Sequence, residues 1–299
     1  MSLNLEAKSK NEDAGREVVE AQNILNDLFE HHDGYGSTST ITLGMPGSCK
    51  STINLIMCNY VMKHYPNDKV FWRSALNAPL QFFKLDRWQI YVEKGSDVNF
   101  IDRITRRNVT DELNVIYFDT FEELYNTCKP GICNALFFKD SKMDGIENDN
   151  GTLQWFNWIN FLLGFYEWKY VFLDEYHEMI KAGASGLIWH KIQNHSDDVS
   201  NARKSNLGIH GNAHQMSELD SRVVQNIMCM IQAYGSKLSK HSPVNRKALH
   251  GLMKPNQNDG AYAWISIAGT FGKFRIAEVI EMPKNLSIMA KIVKTDNNI

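Results

Sequence analysis

Gly44-Met45-Pro46-Gly47-Ser48-Cys49-Lys50-Ser51 packs two glycines, a lysine and hydroxyl side chains into one short stretch. Glycine turns at the start of a helix expose backbone N–H groups, and those groups bind phosphate oxygens. Lys50 would reach the β- and γ-phosphates of a nucleotide, and the Ser51 hydroxyl would ligate Mg²⁺. The stretch nearly fits G-x-x-x-x-G-K-[ST], the phosphate-loop pattern, and with Thr52 it makes a nucleotide-binding segment, Gly44 to Thr52. The departure is Cys49, where the pattern has its second glycine. A Cβ there either crowds the loop or is tolerated if the backbone is ordinary at that position, and sequence leaves both open.

A second chemical pair closes Tyr170-Val171-Phe172-Leu173-Asp174-Glu175-Tyr176-His177. An apolar run ending in Asp-Glu is a Walker B pattern, in which Asp174 would hold Mg²⁺ and Glu175 would polarise the attacking water as general base. Alone, the segment reads better as a strand followed by a helix capped by Asp174, and only its coupling to the phosphate loop favours the Walker B reading. A third candidate follows Leu207 to Ala213, where His214-Gln215 ends a strand-like run. Ligands of open α/β sheets bind at that end of the strands, so Gln215 would sense the γ-phosphate or the attacking water. Its plain alternative is a turn glutamine.

These residues need elements to hold them. Thr40 to Leu43 reads as the strand before the loop and Thr52 to Met62 as the helix after it. Further strands are expected at Lys69–Trp72, Trp88–Val92, Val115–Asp119, Ala135–Phe138, Tyr170–Glu175 and Leu207–Ala213. Helices are expected over residues 16–31, 120–127, 153–166, 184–203 and 219–234. Ala261–Ala268 and Phe271–Ala277 flank Gly269-Thr270 and predict a hairpin at the sheet edge. Strands alternating with helices imply an α/β fold, a mainly parallel sheet with helices on both faces. Residues 76–150 carry no recognisable motif.

Composition narrows the class. Apolar residues make up 43% and charged residues 22% of the 299, which is globular rather than disordered. A net charge of −2 offers no global basic field, so any nucleic-acid contact must be local. The five cysteines lack zinc-finger spacing and read as reduced structural thiols. The N-terminus is polar and mixed in charge, unlike a signal peptide, and no apolar run reaches the roughly 20 residues of a membrane span. The chain reads as cytoplasmic.

Taken together, the three segments resemble the FtsK/HerA superfamily of P-loop ATPases, in its viral genome-packaging and Zot-like branch. The resemblance lies in Arg203 at a helix end, Gly208-Ile209-His210, His214-Gln215 where the family has Thr-Gln, Arg222 through Asn226, and Gly269 to Phe274. It covers residues 38–75 and 168–280. It implies a RecA-like P-loop core over residues 38–280, an N-terminal helical extension over 1–37 and a tail over 281–299. It further implies ATP and Mg²⁺ as cofactors, a homo-hexamer or other ring, and an arginine supplied across subunits, Arg203 or Arg222. The implied activity is ATP-driven translocation of double-stranded DNA of a virus or mobile element, with a portal, capsid or conjugation partner.

Local basic clusters are Arg103, Arg106 and Arg107, and Lys237, Lys240, His241, Arg246 and Lys247. Each would line a DNA channel or form a solvated face. The aromatic group Trp155, Phe156, Trp158, Phe161, Phe165 and Tyr166 reads as core on a buried helix rather than as a base-stacking platform. Two other functions fit the motifs. A nucleotide-binding scaffold without turnover would follow if Cys49 spoils the loop. A superfamily 2 helicase matches Asp174-Glu175-Tyr176-His177 as D-E-x-H, but no Q-x-x-G-R-x-x-R segment or second RecA-like domain follows.

Overall fold

The computed structural model describes residues 18–31, 36–74, 87–102, 104–140, 151–233, 261–265, 270–274 and 288–292. Its strands are β1 (Val18–Glu20), β2 (Thr40–Leu43), β3 (Lys69–Arg73), β4 (Trp88–Glu93), β5 (Val98–Asp102), β6 (Val115–Phe118), β7 (Cys133–Phe137), β8 (Lys169–Leu173), β9 (Leu207–Ala213), β10 (Cys229–Gln232), β11 (Ala261–Ile265), β12 (Thr270–Phe274) and β13 (Ile288–Ile292). Its helices are α1 (Ala21–Phe29), α2 (Lys50–His64), α3 (Phe121–Thr127), α4 (Thr152–Leu162), α5 (Tyr176–Met179), α6 (Gly186–Ala202) and α7 (Ser221–Gln225).

An eleven-stranded sheet runs β1-β12-β11-β10-β2-β9-β8-β3-β7-β4-β6. From β10 to β6 every pairing is parallel. β11 is antiparallel to both β10 and β12. The fold is α/β, with a mainly parallel sheet. Because the strands are buried on both faces, alternate side chains go to opposite cores. Phe71, Val171, Leu173, Leu207 and Ile209 join α4, α6 and α7 in one core. Val70, Trp72, Tyr170, Phe172 and Ile231 join α1 and α2 in the other. α2 is apolar on nearly every side, with Ile53, Leu55, Ile56, Met57, Cys58, Val61 and Met62 all buried. That is the pattern of a helix inside a domain rather than on its surface.

The segment without motifs, 76–150, extends the sheet. β4, β6 and β7 continue the parallel order, and the β5–β13 ribbon is antiparallel. Phe100 of β5 is fully buried and meets Phe137 of β7 edge-on at 5.3 Å. Trp158 of α4 sits at the centre of an aromatic cluster with Phe71, Phe121, Tyr125, Phe138 and Phe161. Trp155, Phe156 and Trp158 are buried, in agreement with the core reading, while Tyr166 is 76% exposed.

Three expectations change. The helix predicted over residues 16–31 begins only at Ala21, because Val18 to Glu20 pair with Phe271 to Lys273 as a parallel edge strand. The hairpin β11–β12 forms as expected but is not the outermost element, since β1 lies beyond it. The helix predicted over residues 219–234 is a single short helix followed by β10. Asp220 caps α7 by accepting from the Arg222 N–H at 3.0 Å, and the chain then enters the sheet. There β10 gains ladder bonds from β2 and β11, and pairing on both sides outweighs local helix preference. Residues 234–260, with the second basic cluster, lie outside the described residues, as do Arg103, Gly269 and residues 281–287 and 293–299.

Burial also sets a pH dependence. His195 of α6, 2.5 Å from the Tyr176 hydroxyl, and His210 of β9 are fully buried, which pushes their pKa values down to about 3. The unfolded chain protonates them near 6.5 and the folded chain does not. Their stabilisation is therefore complete above pH 6.5 and declines as pH falls towards 3, by about 1.4 kcal/mol per pH unit for each histidine. Asp68, pushed up to about 7 by desolvation, titrates in the opposite sense between its unfolded value of 3.8 and 7. A comparison with His195→Gln isolates one histidine. From pH 6 to pH 5 in urea titrations, the stability difference between wild type and variant should move by about 1.4 kcal/mol in the variant's favour. A constant difference would contradict neutral burial.

Candidate functional site

β9 lies between β2 and β8. Register places Leu43 beside Ala213 and Leu173 beside Gly211, so the chain leaves all three strands at one sheet edge. That arrangement brings together Gly44–Ser51, Asp174–Glu175 and His214–Gln215, three segments far apart in sequence. It is the C-terminal edge at which open α/β sheets bind ligands.

The loop after β2 is anchored at both ends. Gly44 N–H donates to the Ala213 carbonyl at 3.2 Å, and Ser48 N–H donates to the Met45 carbonyl at 3.1 Å. A Cβ on Gly44 would fall 2.3 Å from Ser48 Oγ and 2.8 Å from Ala233 Cβ, so only glycine fits there. Gly47 takes φ +79°. Cys49 takes φ 64° and ψ 26°, the left-handed conformation that favours glycine. The structure thus removes one alternative left open by the sequence: the backbone at Cys49 is not ordinary, and a side chain there costs roughly 1–2 kcal/mol. Met45, Pro46 and Gly47 are exposed at the loop tip, while Ser48 and Lys50 are buried. Thr52 sits in the first turn of α2, half-buried.

The Lys50 ammonium donates to the Met45 carbonyl at 3.3 Å and to His214 Nδ1 at 3.1 Å. Desolvation lowers its pKa, and the Glu175 and Asp174 carboxylates oppose that shift. Ser51 Oγ donates to Asp174 Oδ1 at 2.7 Å. Asn212 Nδ2, fully buried on β9, donates to the same oxygen at 2.6 Å. Asn212 Oδ1 accepts from the Glu175 N–H at 2.8 Å, so one amide fixes both acidic residues. Arg73, at the end of β3 and 2% exposed, donates from Nη1 to the Asp174 carbonyl at 2.7 Å and from Nη2 to Glu178 Oε2 at 3.3 Å. The pairing of Ser51 Oγ with an Asp174 carboxylate oxygen supplies the hard oxygen donors that Mg²⁺ prefers.

Glu175 is itself left-handed, at φ 51°. Its Oε2 stands 3.2 Å from His177 Nδ1 and 3.6 Å from His214 Nε2. Non-glycine residues in that region are strained, and such strain gathers at functional sites. Gln215 is half-buried at the end of β9, and its carbonyl accepts from the Glu218 N–H at 3.2 Å. It is His214, rather than Gln215, that touches both Lys50 and Glu175.

The two arginines lie apart from this cluster. Arg203, at the C-terminal end of α6, is exposed. Arg222 makes a two-point pair with Asp220, Nε to Oδ1 at 2.9 Å and Nη2 to Oδ2 at 2.7 Å, and lies 5.1 Å over the Trp189 ring. Asn226 ties α7 to α6 by donating to the Ser196 carbonyl at 2.9 Å. In the first basic cluster Arg107 pairs with Glu112 at 2.8 Å.

Sequence reading missed Arg73 and Asn212 as site residues, and it named His214 only as the neighbour of Gln215. The usable signal was positional, since each stands at or just past the C-terminal end of a core strand, where a buried polar residue is out of place unless partnered.

No family model matches the chain, and no curated protein matches it. Among solved structures, it is similar to the DNA-packaging ATPase of Sulfolobus turreted icosahedral virus, at 10% identity over 79% of this chain and 96% of that one, with a TM-score of 0.47. It is also similar to the conjugation coupling protein TcpA of pCW3, at 11% identity over 82% of this chain and 61% of that one, TM-score 0.42. A third is the N-terminal domain of zonular occludens toxin from Neisseria meningitidis, at 10% identity over 82% of this chain and 100% of that one, TM-score 0.36. Among the described residues no helix is long and apolar enough to cross a membrane.

Two substitutions test the site's construction. Cys49→Gly removes the left-handed side chain and should raise unfolding free energy by about 0.5–1 kcal/mol in urea, with nucleotide affinity undiminished. Asn212→Leu keeps volume but frees Asp174 and Glu175. It should lower activity or Mg²⁺ affinity about 10–100-fold while the far-UV circular dichroism stays native. Unchanged kinetics would remove Asn212 from the site.

Proposed function

We propose that this chain is a Mg²⁺-dependent ATPase that translocates double-stranded DNA as a homo-hexamer or other ring. The observation that carries the ATPase reading is the meeting of Lys50, Ser51, Asp174 and Glu175 at one sheet edge, with Asp174 Oδ1 receiving both Ser51 and Asn212. In this reading the loop N–H groups from Gly44 to Thr52 wrap the phosphates, and Lys50 exchanges the Met45 carbonyl and His214 for phosphate oxygens. Ser51 and Asp174 would hold Mg²⁺, which supplies charge neutralisation at the phosphates when bound. Glu175 orients and deprotonates the attacking water, and Asn212 fixes where that carboxylate starts. His214 takes the polar position between Lys50 and Glu175, with Gln215 beside it as the γ-phosphate sensor.

An arginine from a neighbouring subunit would stabilise charge on the transferring phosphoryl group. Arg203 suits that role better than Arg222, because Arg203 is exposed and Arg222 is already held by Asp220. The DNA cargo, the ring and a portal, capsid or conjugation partner follow from the sequence resemblance to the FtsK/HerA superfamily.

A second reading has its own observation. Two left-handed non-glycine residues, Cys49 and Glu175, sit in the loop and at the base, and two imidazoles stand within 3.6 Å of the Glu175 carboxylate. A scaffold that binds nucleotide without turnover would tolerate that arrangement.

Steady-state ATP hydrolysis with and without double-stranded DNA separates the two. The motor predicts DNA-stimulated turnover, reduced about 10²–10³-fold by Lys50→Ala and about 10²–10⁴-fold by Glu175→Gln. ATP binding without hydrolysis at any protein concentration, with or without DNA, would favour the scaffold.

A further inference from the structure

Glu175, His177 and His214 come from the turn after β8 and the end of β9, and they bring three donor atoms together. Glu175 Oε2 is 3.2 Å from His177 Nδ1 and 3.6 Å from His214 Nε2, and the ligand atoms all lie within 4.8 Å of one another. Tetrahedral Zn²⁺ with ligand bonds of about 2.0–2.1 Å sets its ligand atoms about 3.4 Å apart. Two of the three separations bracket that value, and the third is at most 4.8 Å. Glu175 Oε2 and His177 Nδ1 are shielded from solvent and lack a hydrogen-bond partner of good geometry. They face each other as ligand atoms facing an ion would. Two imidazoles and one carboxylate form a donor set that holds zinc with a fourth position open. That set is softer than the oxygens of Ser51 and Asp174, so the two places select different ions.

We propose that Glu175, His177 and His214 form a binding site for a divalent first-row transition-metal ion of the Zn²⁺ class, beside the nucleotide site and separate from the Mg²⁺ position. An ion there takes the Glu175 carboxylate out of use as a base and so inhibits hydrolysis. That consequence rests on the reading of Glu175 as the base, whereas ion binding itself does not.

Lys50 regulates the site. Its ammonium donates to His214 Nδ1 at 3.1 Å, which leaves the imidazole proton on Nε2. A metal on Nε2 needs that proton on Nδ1, facing Lys50. The lysine bond and the ion therefore exclude each other. Anything that draws Lys50 away from His214, bound phosphate included, opens the site.

The test is Zn²⁺ titration of the full chain against a chromogenic chelator in excess Mg²⁺, paired with visible absorption of the Co²⁺-loaded protein. One ion should bind per chain. Affinity should fall at least tenfold in His177→Ala and in His214→Ala, rise in Lys50→Met, and stay unchanged in Cys49→Ser. The Co²⁺ spectrum should be tetrahedral and lack a thiolate charge-transfer band. Equal affinity in wild type and His177→Ala, or a thiolate band that disappears in Cys49→Ser, would overturn the site. ATP hydrolysis without Zn²⁺ binding overturns the metal site alone. Zn²⁺ binding that depends on His177 and His214 in a chain that never hydrolyses ATP supports the metal site and removes the motor.

Discussion

Asp174 Oδ1 is the atom on which the site converges. It accepts from Ser51 Oγ at the start of α2 and from Asn212 Nδ2 on β9, while the Asp174 carbonyl accepts from Arg73 at the end of β3. Four separate segments therefore meet at one residue. The meeting requires β9 to run between β2 and β8, parallel to both. An antiparallel insertion would send Asn212 and His214 to the opposite edge of the sheet. The long parallel sheet, two-sided and closed over by helices, is the frame that makes this one contact possible.

Rigidity behind the site contrasts with strain inside it. Asn212 is fully buried and Arg73 nearly so, and both hold main-chain or carboxylate atoms of the Asp174–Glu175 turn. Buried polar groups of this kind are costly unless partnered, and here their partners are atoms of the Asp174–Glu175 turn. Cys49 and Glu175, by contrast, sit at positive φ at the two chemically critical turns. Surrounding contacts must hold such residues in place, and for Glu175 the Asn212 side chain does so by accepting its N–H. The same turn leaves the Glu175 carboxylate between two imidazoles, which links Glu175 to the lysine of the loop through His214.

Much of this was legible in the chain. The glycine-lysine-serine loop, the apolar run ending in Asp-Glu and the strand before His214 are local patterns. Each depends on residues that are neighbours in sequence, and alternation of strand and helix signals implied the α/β class. The strands at Trp88, Val115 and Ala135 were readable for the same reason, because a short apolar run rich in β-branched and aromatic residues marks a strand buried on one or both faces. Where reading failed, the deciding partner was distant. Cys229 to Gln232 looks helical in isolation and is a strand because β2 and β11 offer it ladders on both sides. Val18 to Glu20 continues a helical pattern by sequence but pairs with β12.

By itself, then, the sequence picked out the residues whose types and spacings suit phosphate, metal and base chemistry, since those patterns are local. Tertiary structure alone decided the order of strands and so which polar residues complete the site. Asn212 and Arg73 carry no motif and His214 departs from one, and their contacts are through-space hydrogen bonds to residues far off in the chain. It also decided the backbone at Cys49, because the dihedral of a loop residue is set by the strand that enters and the helix that leaves. A hydrogen bond acts over about 3 Å whatever the separation in sequence. A pattern along the chain records only the first kind of neighbour.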